Sequence, residues 1–434
     1  MEKITDRSPR VLVTTVPAWS KGSNTLSSLF KGYDKSKLAC LYIRADKSDA
    51  QSCNRYFHII ESKILKSVFI RQEKTGEEYI INDELLRIDT INKQTIEREE
   101  KIYSFFRLIN SYFIILIREL VWMIGKWKTK EFNDFVNSVN PEVLVFPIES
   151  YIHFNRINEY LIQKYKPKRI IGFLWDDNFS YKQHPYDLCY LLHRFWLRLH
   201  VRKLVNACDV VFVLSPKMKK ECDSEFKINS ELLSKPIFNN GFFRAYTVKN
   251  PIRILYTGSL LIGRDKTILE IAKVIQQMNS NGIKVELNIY SNTVISNRKK
   301  HIIERGGSCR VLGAITQKEV FKKQEEADIL LFAESFSNVH RIARLSFSTK
   351  LTDYFSAGKC IWAVGNRDLG PIEYLKENDA GLVSTDIQSV KDILSQVINN
   401  PFIVEEYAKK SFKCGIINHN EDKILKKFRN ALME

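Results

Sequence analysis

The sequence predicts an α/β protein of two doubly wound, Rossmann-like domains in tandem. Short apolar runs of strand length alternate with helical segments along most of the chain. Those runs are apolar on both faces, as strands buried in parallel sheets are. The alternation halts once, near residue 240, and then begins again. A chain of 434 residues is too long for one ordinary core, and 44% hydrophobic with 27% charged residues is the composition of a folded protein.

In the first series, Val11 to Val16, Leu38 to Arg44, Val143 to Pro147, Ile170 to Trp175 and Val210 to Leu214 read as strands. Phe226 to Asn250 breaks the rhythm with Pro236, Asn239, Asn240 and Gly241. A second series follows: Ile252 to Thr257, Val285 to Tyr290, Arg310 to Leu312, Ile329 to Phe332, Cys360 to Val364 and Gly381 to Ser384. The expected organisation is a first domain over 1–235, a linker over 236–250, a second domain over 251–404 and a basic helical tail over 405–434. The tail is a candidate to pack back on the first domain.

Composition excludes several classes. The eight cysteines are scattered without a C-x-x-C pair, which argues against a disulfide framework or a zinc knuckle. The eight histidines show no metal spacing, so no metal site is expected. Met1 to Pro9 is polar and does not resemble a signal peptide. A net charge of +17 calls for something anionic, whether nucleic acid, a membrane surface or phosphorylated substrates. Aromatics interleaved with Lys and Arg on one platform are not evident, and no nucleic-acid partner is expected.

Chemistry concentrates between Ile252 and Gly365. Gly258 follows a clear strand, and Ser259, Arg264 and Lys266 lie in the turn and helix start behind it. A glycine turn brings backbone close to an anion, and the two cations can neutralise a diphosphate. Further on, Ser348 and Thr349 are good caps for a helix whose first amides can bind phosphate, and Lys350 adds a mobile cation. Asp353 lies one turn in on the same side, where a carboxylate suits two sugar hydroxyls. An ordinary capped helix with a surface Lys–Asp pair is the other reading. The pattern is neither G-x-G-x-x-G nor a P-loop, so nicotinamide or ATP binding is unsupported.

This segment resembles the donor domain of GT-B glycosyltransferases, specifically the large retaining family 4, group 1 class. The variant S/T-K-x-x-[D/E]-Y-x-A-G-K is similar to that of capsule and exopolysaccharide enzymes. The resemblance implies two domains facing a cleft, a nucleoside diphosphate sugar as donor and no separate cofactor. By spacing from Gly258, Arg264 takes the place of the family's lysine, while Ser259 stands where its arginine is usual. Counting back from Gly358, Asp353 falls on the second acid of Glu-x7-Glu, the ribose ligand. The first acid falls on Leu345, a departure; Glu334 and the insertion-like Ser335 to Arg344 are the candidates to fill its role, if anything does. No Asp-x-Asp pair occurs, which argues against the metal-dependent GT-A fold.

In the first domain, Gly22, Ser23 and Asn24 form a loop after the first strand, suited either to an acceptor or to a tight turn. Asp176 and Asp177 end a strand where cleft residues gather, and are candidates to orient or deprotonate an acceptor hydroxyl; His153 and His184 are nearby. Tyr103 to Trp127 is too interrupted to span a bilayer, leaving a core helix or an interfacial one with Trp122 and Trp127 at the headgroups. Leu191 to Val205 sets Arg194, Arg198 and Arg202 beside Leu192, Phe195, Trp196 and Leu199, a pattern for an anionic membrane surface or for a helix buried on one side. The expected function is transfer of a hexose to a lipid-linked or oligosaccharide acceptor in surface polysaccharide synthesis, with retention. The expected place is the cytoplasmic face of the membrane. A nucleotide-sugar epimerase or hydrolase of the same fold is the alternative, and a basic nucleic-acid-binding protein a further one.

Overall fold

The computed structural model describes residues 8–19, 25–44, 53–70, 74–80, 111–184, 186–237, 242–337 and 343–434. The chain divides into two compact units. One comprises Met1–Leu214, Met218–Leu233 and Leu425–Glu434; the other comprises Ser215–Lys217 and Ser234–Ile424.

The first unit is built on β1 (Val11–Pro17), β2 (Leu38–Arg44), β3 (Arg55–Ile59), β4 (Gly76–Ile80), β5 (Val143–Pro147), β6 (Arg169–Leu174), β7 (Val210–Val213) and β8 (Glu231–Leu232). Their order is β4-β3-β2-β1-β5-β6-β7-β8, parallel except for the β3–β4 pair. The second unit carries β9 (Ile252–Thr257), β10 (Val285–Tyr290), β11 (Cys309–Gly313), β12 (Ile329–Ala333), β13 (Cys360–Val364) and β14 (Leu382–Ser384), all parallel, in the order β11-β10-β9-β12-β13-β14. Each sheet reverses direction beside its first strand, at β1/β5 and at β9/β12. Loops leaving the carboxyl ends of those strands diverge there and open a crevice for a ligand.

The apolar runs form the strands because sheets covered on both faces need apolar residues at every position. All of β5, β12 and β13 is buried. β3, β4 and β8 were not anticipated. β3 carries Arg55 and His58, and β4, at the sheet edge, exposes Glu77, Glu78 and Ile80. β8 is two residues long.

The C-terminal stretch forms helices Phe402–Asn418 and Glu421–Met433. Phe428 is fully buried, 5.0 Å from the Phe30 ring and 6.2 and 6.4 Å from Phe173 and Phe212. Its ring therefore closes the core of the first unit.

For two helices of that unit the structure decides between the alternatives the sequence left open. In Tyr112–Ile124, Trp122 is buried with its Nε1–H donating to Glu61, and Trp127 is buried just beyond, so neither reaches a headgroup. In Leu188–Ala207 two of the three row arginines turn toward protein, while Arg202 stays exposed. Arg194 is buried and donates to the Asp177 carbonyl and to Gln183; Arg198 donates to the Phe179 carbonyl and pairs with Glu225. Carbonyls and carboxylates of the neighbouring loop outcompete water for those guanidinium donors. No described helix is long and apolar enough to cross a membrane.

Replacing Phe428 with Ala is expected to destabilise the first unit by about 3–5 kcal/mol, read from urea unfolding of the full chain. A loss under about 1 kcal/mol would show that the ring closes no core.

Candidate functional site

The site of the second unit grows from the crevice at β9/β12. Gly258 leaves β9 with φ +137°, and its N–H donates to the Tyr290 carbonyl at 2.9 Å. A Cβ here would lie 2.0 Å from Lys350 Nζ and 2.5 Å from its Cε. A Cβ would push the lysine terminus aside, and the positive φ favours glycine. The turn behind it is tied internally: the Ser259 hydroxyl accepts from Leu261 N at 3.2 Å, and Thr293 Oγ1 accepts from Leu260 N at 3.1 Å. Ile262 sits at φ +60°, a region that β-branched residues avoid. Gly263, at φ +77°, then opens helix Arg264–Met278.

Lys350 stands in the first turn of helix Thr349–Ala357, which Ser348 caps through a long 3.4 Å contact with Lys350 N. The helix ends at Gly358, at φ +61°. Tyr354 anchors it to the sheet, its OH donating to the Leu331 carbonyl at 3.2 Å. The ammonium of Lys350 lies 5.1 Å from the Tyr256 ring centroid and has no carboxylate within ion-pair distance among the described residues. Burial and the nearby Arg264 charge push its pKa down to about 8.

The other charges are matched. Arg264 donates two bonds of 2.8 Å to Glu334, a nearly buried carboxylate just past β12. Gly365 gives Glu334 its room, since a Cβ there would lie 2.9 Å from the Glu334 Cβ. Asp353 accepts from Lys235 Nζ at 2.8 Å. Lys266 is exposed, as is Thr349. The structure thus brings Gly258, Ser259, Arg264, Ser348, Lys350 and Asp353 to one crevice and leaves Lys266 at its solvent side. Leu345 is fully buried and apolar, so the acid facing Arg264 is Glu334.

Lys235 carried no signal in the sequence: it lies 118 residues from Asp353 and inside the segment assigned to the first domain.

In the first unit, Gly22, Ser23 and Asn24 lie outside the described residues. Asp177, expected at an acceptor, is fully buried; its carboxylate accepts from Ser180 N at 2.9 Å. It shapes the loop after β6, and its carboxylate has no solvent-facing surface for an acceptor. His153 is also buried, 3.0 Å from Glu119 and stacked on Trp122. His184 packs near Tyr112 and Tyr190, and burial lowers its pKa. Asp176 is exposed, and its charge acts on Glu149, which follows β5 on the neighbouring strand. Burial, then that charge, raise the Glu149 pKa to about 7. The backbone of Glu149 is held on both sides by Asn155, at 3.1 Å through its N–H and 2.8 Å through its carbonyl. A carboxyl near half-protonation at neutral pH suits proton transfer. Glu149 escaped notice in the sequence because its partner is adjacent in the sheet and not in the chain.

Gly258→Ala is expected to destabilise the second unit by about 1–3 kcal/mol, from overlap with Lys350 and from the positive φ. Adding Lys350→Ala should recover the overlap part only, so a double-mutant cycle in urea is expected to show coupling. Strict additivity would mean the two residues do not share space.

No family model and no curated protein sequence matches the chain. Solved structures do. The Anabaena protein HepE in complex with UDP superposes with a TM-score of 0.59 at 9% identity, over 98% of this chain and 99% of that one. TarM gives 0.60 at 9% identity over the full length of both. Sucrose-phosphate synthase from Thermosynechococcus elongatus gives 0.58 at 11%, over 98% of each. The chain has the two-sheet α/β fold of GT-B glycosyltransferases.

Proposed function

We propose that the protein is a glycosyltransferase that takes a hexose from a nucleoside diphosphate sugar, with retention, and passes it to a lipid-linked or oligosaccharide acceptor of surface polysaccharide synthesis. The observation that carries the reading is Lys350: a partly buried cation at a helix start, packed against Gly258, with no carboxylate within ion-pair distance among the described residues. Such a place is built for an anion. A diphosphate there would meet the ammonium, the positive end of the helix and the Gly258 backbone. When the bond from the anomeric carbon to the diphosphate oxygen breaks, the electron pair leaves with the diphosphate. Fixed positive charge stabilises that leaving group without a metal.

Arg264, held by Glu334, adds a second oriented donor. Asp353 is the ribose ligand, and the nucleotide must take it from Lys235 or share it. Glu149 with Asp176 is the candidate to receive the acceptor proton. HepE, solved with UDP and with UDP and glucose, supports a uridine nucleotide as the first donor to try.

Calorimetric titration with UDP, GDP, CDP and dTDP, without added metal, is expected to show selective binding of one of them. Lys350→Ala and Asp353→Ala should each weaken it by about tenfold or more. No binding to any of the four would remove the transferase reading.

The pH dependence follows from Lys350. Its ammonium is charged below about 8, and a bound diphosphate would raise that pKa. Affinity is therefore full below pH 8 and falls as pH rises above it, by up to about tenfold per unit until the pKa of the complex is reached. Titrations between pH 7 and 10 should show this slope in the wild type and none in Lys350→Ala.

A further inference from the structure

Two packed helices of the first unit each turn an apolar row to solvent. In Tyr112–Ile124 the row is Phe113, Ile117, Leu120 and Ile124, with Phe113 61% exposed and Ile124 62%. In Leu188–Ala207 it is Leu188, Leu192, Phe195 and Leu199, with Leu188 71% exposed and Phe195 60%. Both rows follow the spacing i, i+4, i+7, i+11, one continuous helix face. The helices meet at Tyr112 and Tyr190, whose rings lie 4.9 Å apart. Phe69, 82% exposed, and Ile70 follow helix Glu61–Ser67, which packs on the first of the two.

Cations prevail around the rows, although Asp187 and Glu131 are exposed near their ends. Leu188–Ala207 contains no acid, and the single acid of Tyr112–Ile124, Glu119, is buried, accepting from the Ile152 and His153 amides. At the ends stand Lys66, Lys126, Lys128, Lys130, Arg202 and Lys203. Arg202 and Lys203 lie 3.6 and 3.9 Å from Glu225 and Glu159, yet keep more than half of each side chain exposed.

We propose that this face docks on an anionic lipid bilayer, its apolar rows entering the headgroup boundary and its cationic ends lying on lipid phosphates. Large exposed apolar rows on neighbouring helices mark an interaction surface. Charge decides the partner. A second copy would set cationic ends against cationic ends in a chain of net charge +17, whereas lipid phosphates complement them. Of the basic and apolar rows that the spacing sets side by side, the leucine and phenylalanine row faces outward while Arg194 is buried. The inference deepens the proposed function, resting on it only for the lipid-linked acceptor such docking would bring near.

The experiment is flotation of the full chain with vesicles of phosphatidylcholine and phosphatidylglycerol in equal parts, and of phosphatidylcholine alone, with light scattering for oligomeric state. Binding is expected to the anionic vesicles and to be much weaker to the neutral ones. The pairs Phe195→Ser with Leu199→Ser and Phe113→Ser with Ile117→Ser should each lower partitioning by roughly tenfold, with thermal unfolding unchanged. Lack of vesicle binding, or binding that both pairs leave intact, would overturn the proposal. So would a dimer that either pair splits, which would make the face an interface between copies. Titration of the same proteins with UDP, GDP, CDP and dTDP separates the two readings: vesicle binding without binding of any of the four would end the transferase reading and leave this one standing.

Discussion

The second unit is organised around a cation, Lys350, that has no carboxylate within ion-pair distance among the described residues. Lys350 projects from a helix start into the space beside Gly258, and that space exists because residue 258 has no Cβ. Burial and the Arg264 charge disfavour the ammonium and Glu334 offsets them only in part, which the depressed pKa records. A fold retains such a group where a ligand supplies the missing charge. The parallel sheet places β9 and β12 side by side, their loops part at the crevice, and Tyr354 pins the lysine-bearing helix to β12.

The surrounding charges make sense against that one. Arg264 and Glu334 form a two-bonded pair whose geometry holds the guanidinium in one orientation, and Lys235 holds Asp353. Glu334 and Asp353 each already have a cation, so neither forms an ion pair with Lys350. The strained Ile262 and the hydroxyl ties of Ser259 and Thr293 make the turn a fixed shape. A preorganised anion site spends little free energy on reorganisation when its ligand arrives.

The first unit separates scaffold from surface in a similar way. Buried polar groups serve its loops: Asp177 caps, Glu119 holds a helix start and Arg194 bonds a carbonyl. What faces outward is Asp176 beside the tunable Glu149, and a broad apolar face on two helices. An arginine row and a leucine row at the same spacing cannot be told apart in orientation by period alone. Guanidinium donors turn inward where a loop offers carbonyls, and that depends on residues far along the chain.

By itself the sequence determined the alternation of strands and helices, both doubly wound sheets and the positions of Gly258, Lys350 and Asp353. Those features are local: β-branched runs, a glycine after a strand, and a cap followed by lysine and aspartate. It also separated Arg264 from the P-loop and nicotinamide patterns. Strand β4 escaped because an edge strand needs no apolar run, β8 because it is two residues long, and the internal β3 because Arg55 and His58 interrupt its apolar residues. Only the tertiary structure decided that Glu334 holds Arg264, that Lys235 holds Asp353 and that Asp177 is sealed in. It alone paired Glu149 with Asp176 and chose which face of Leu188–Ala207 meets water. Each of these is a contact between residues distant in the chain or on adjacent strands, and burial and charge pairing exist only once the sheets have brought them together.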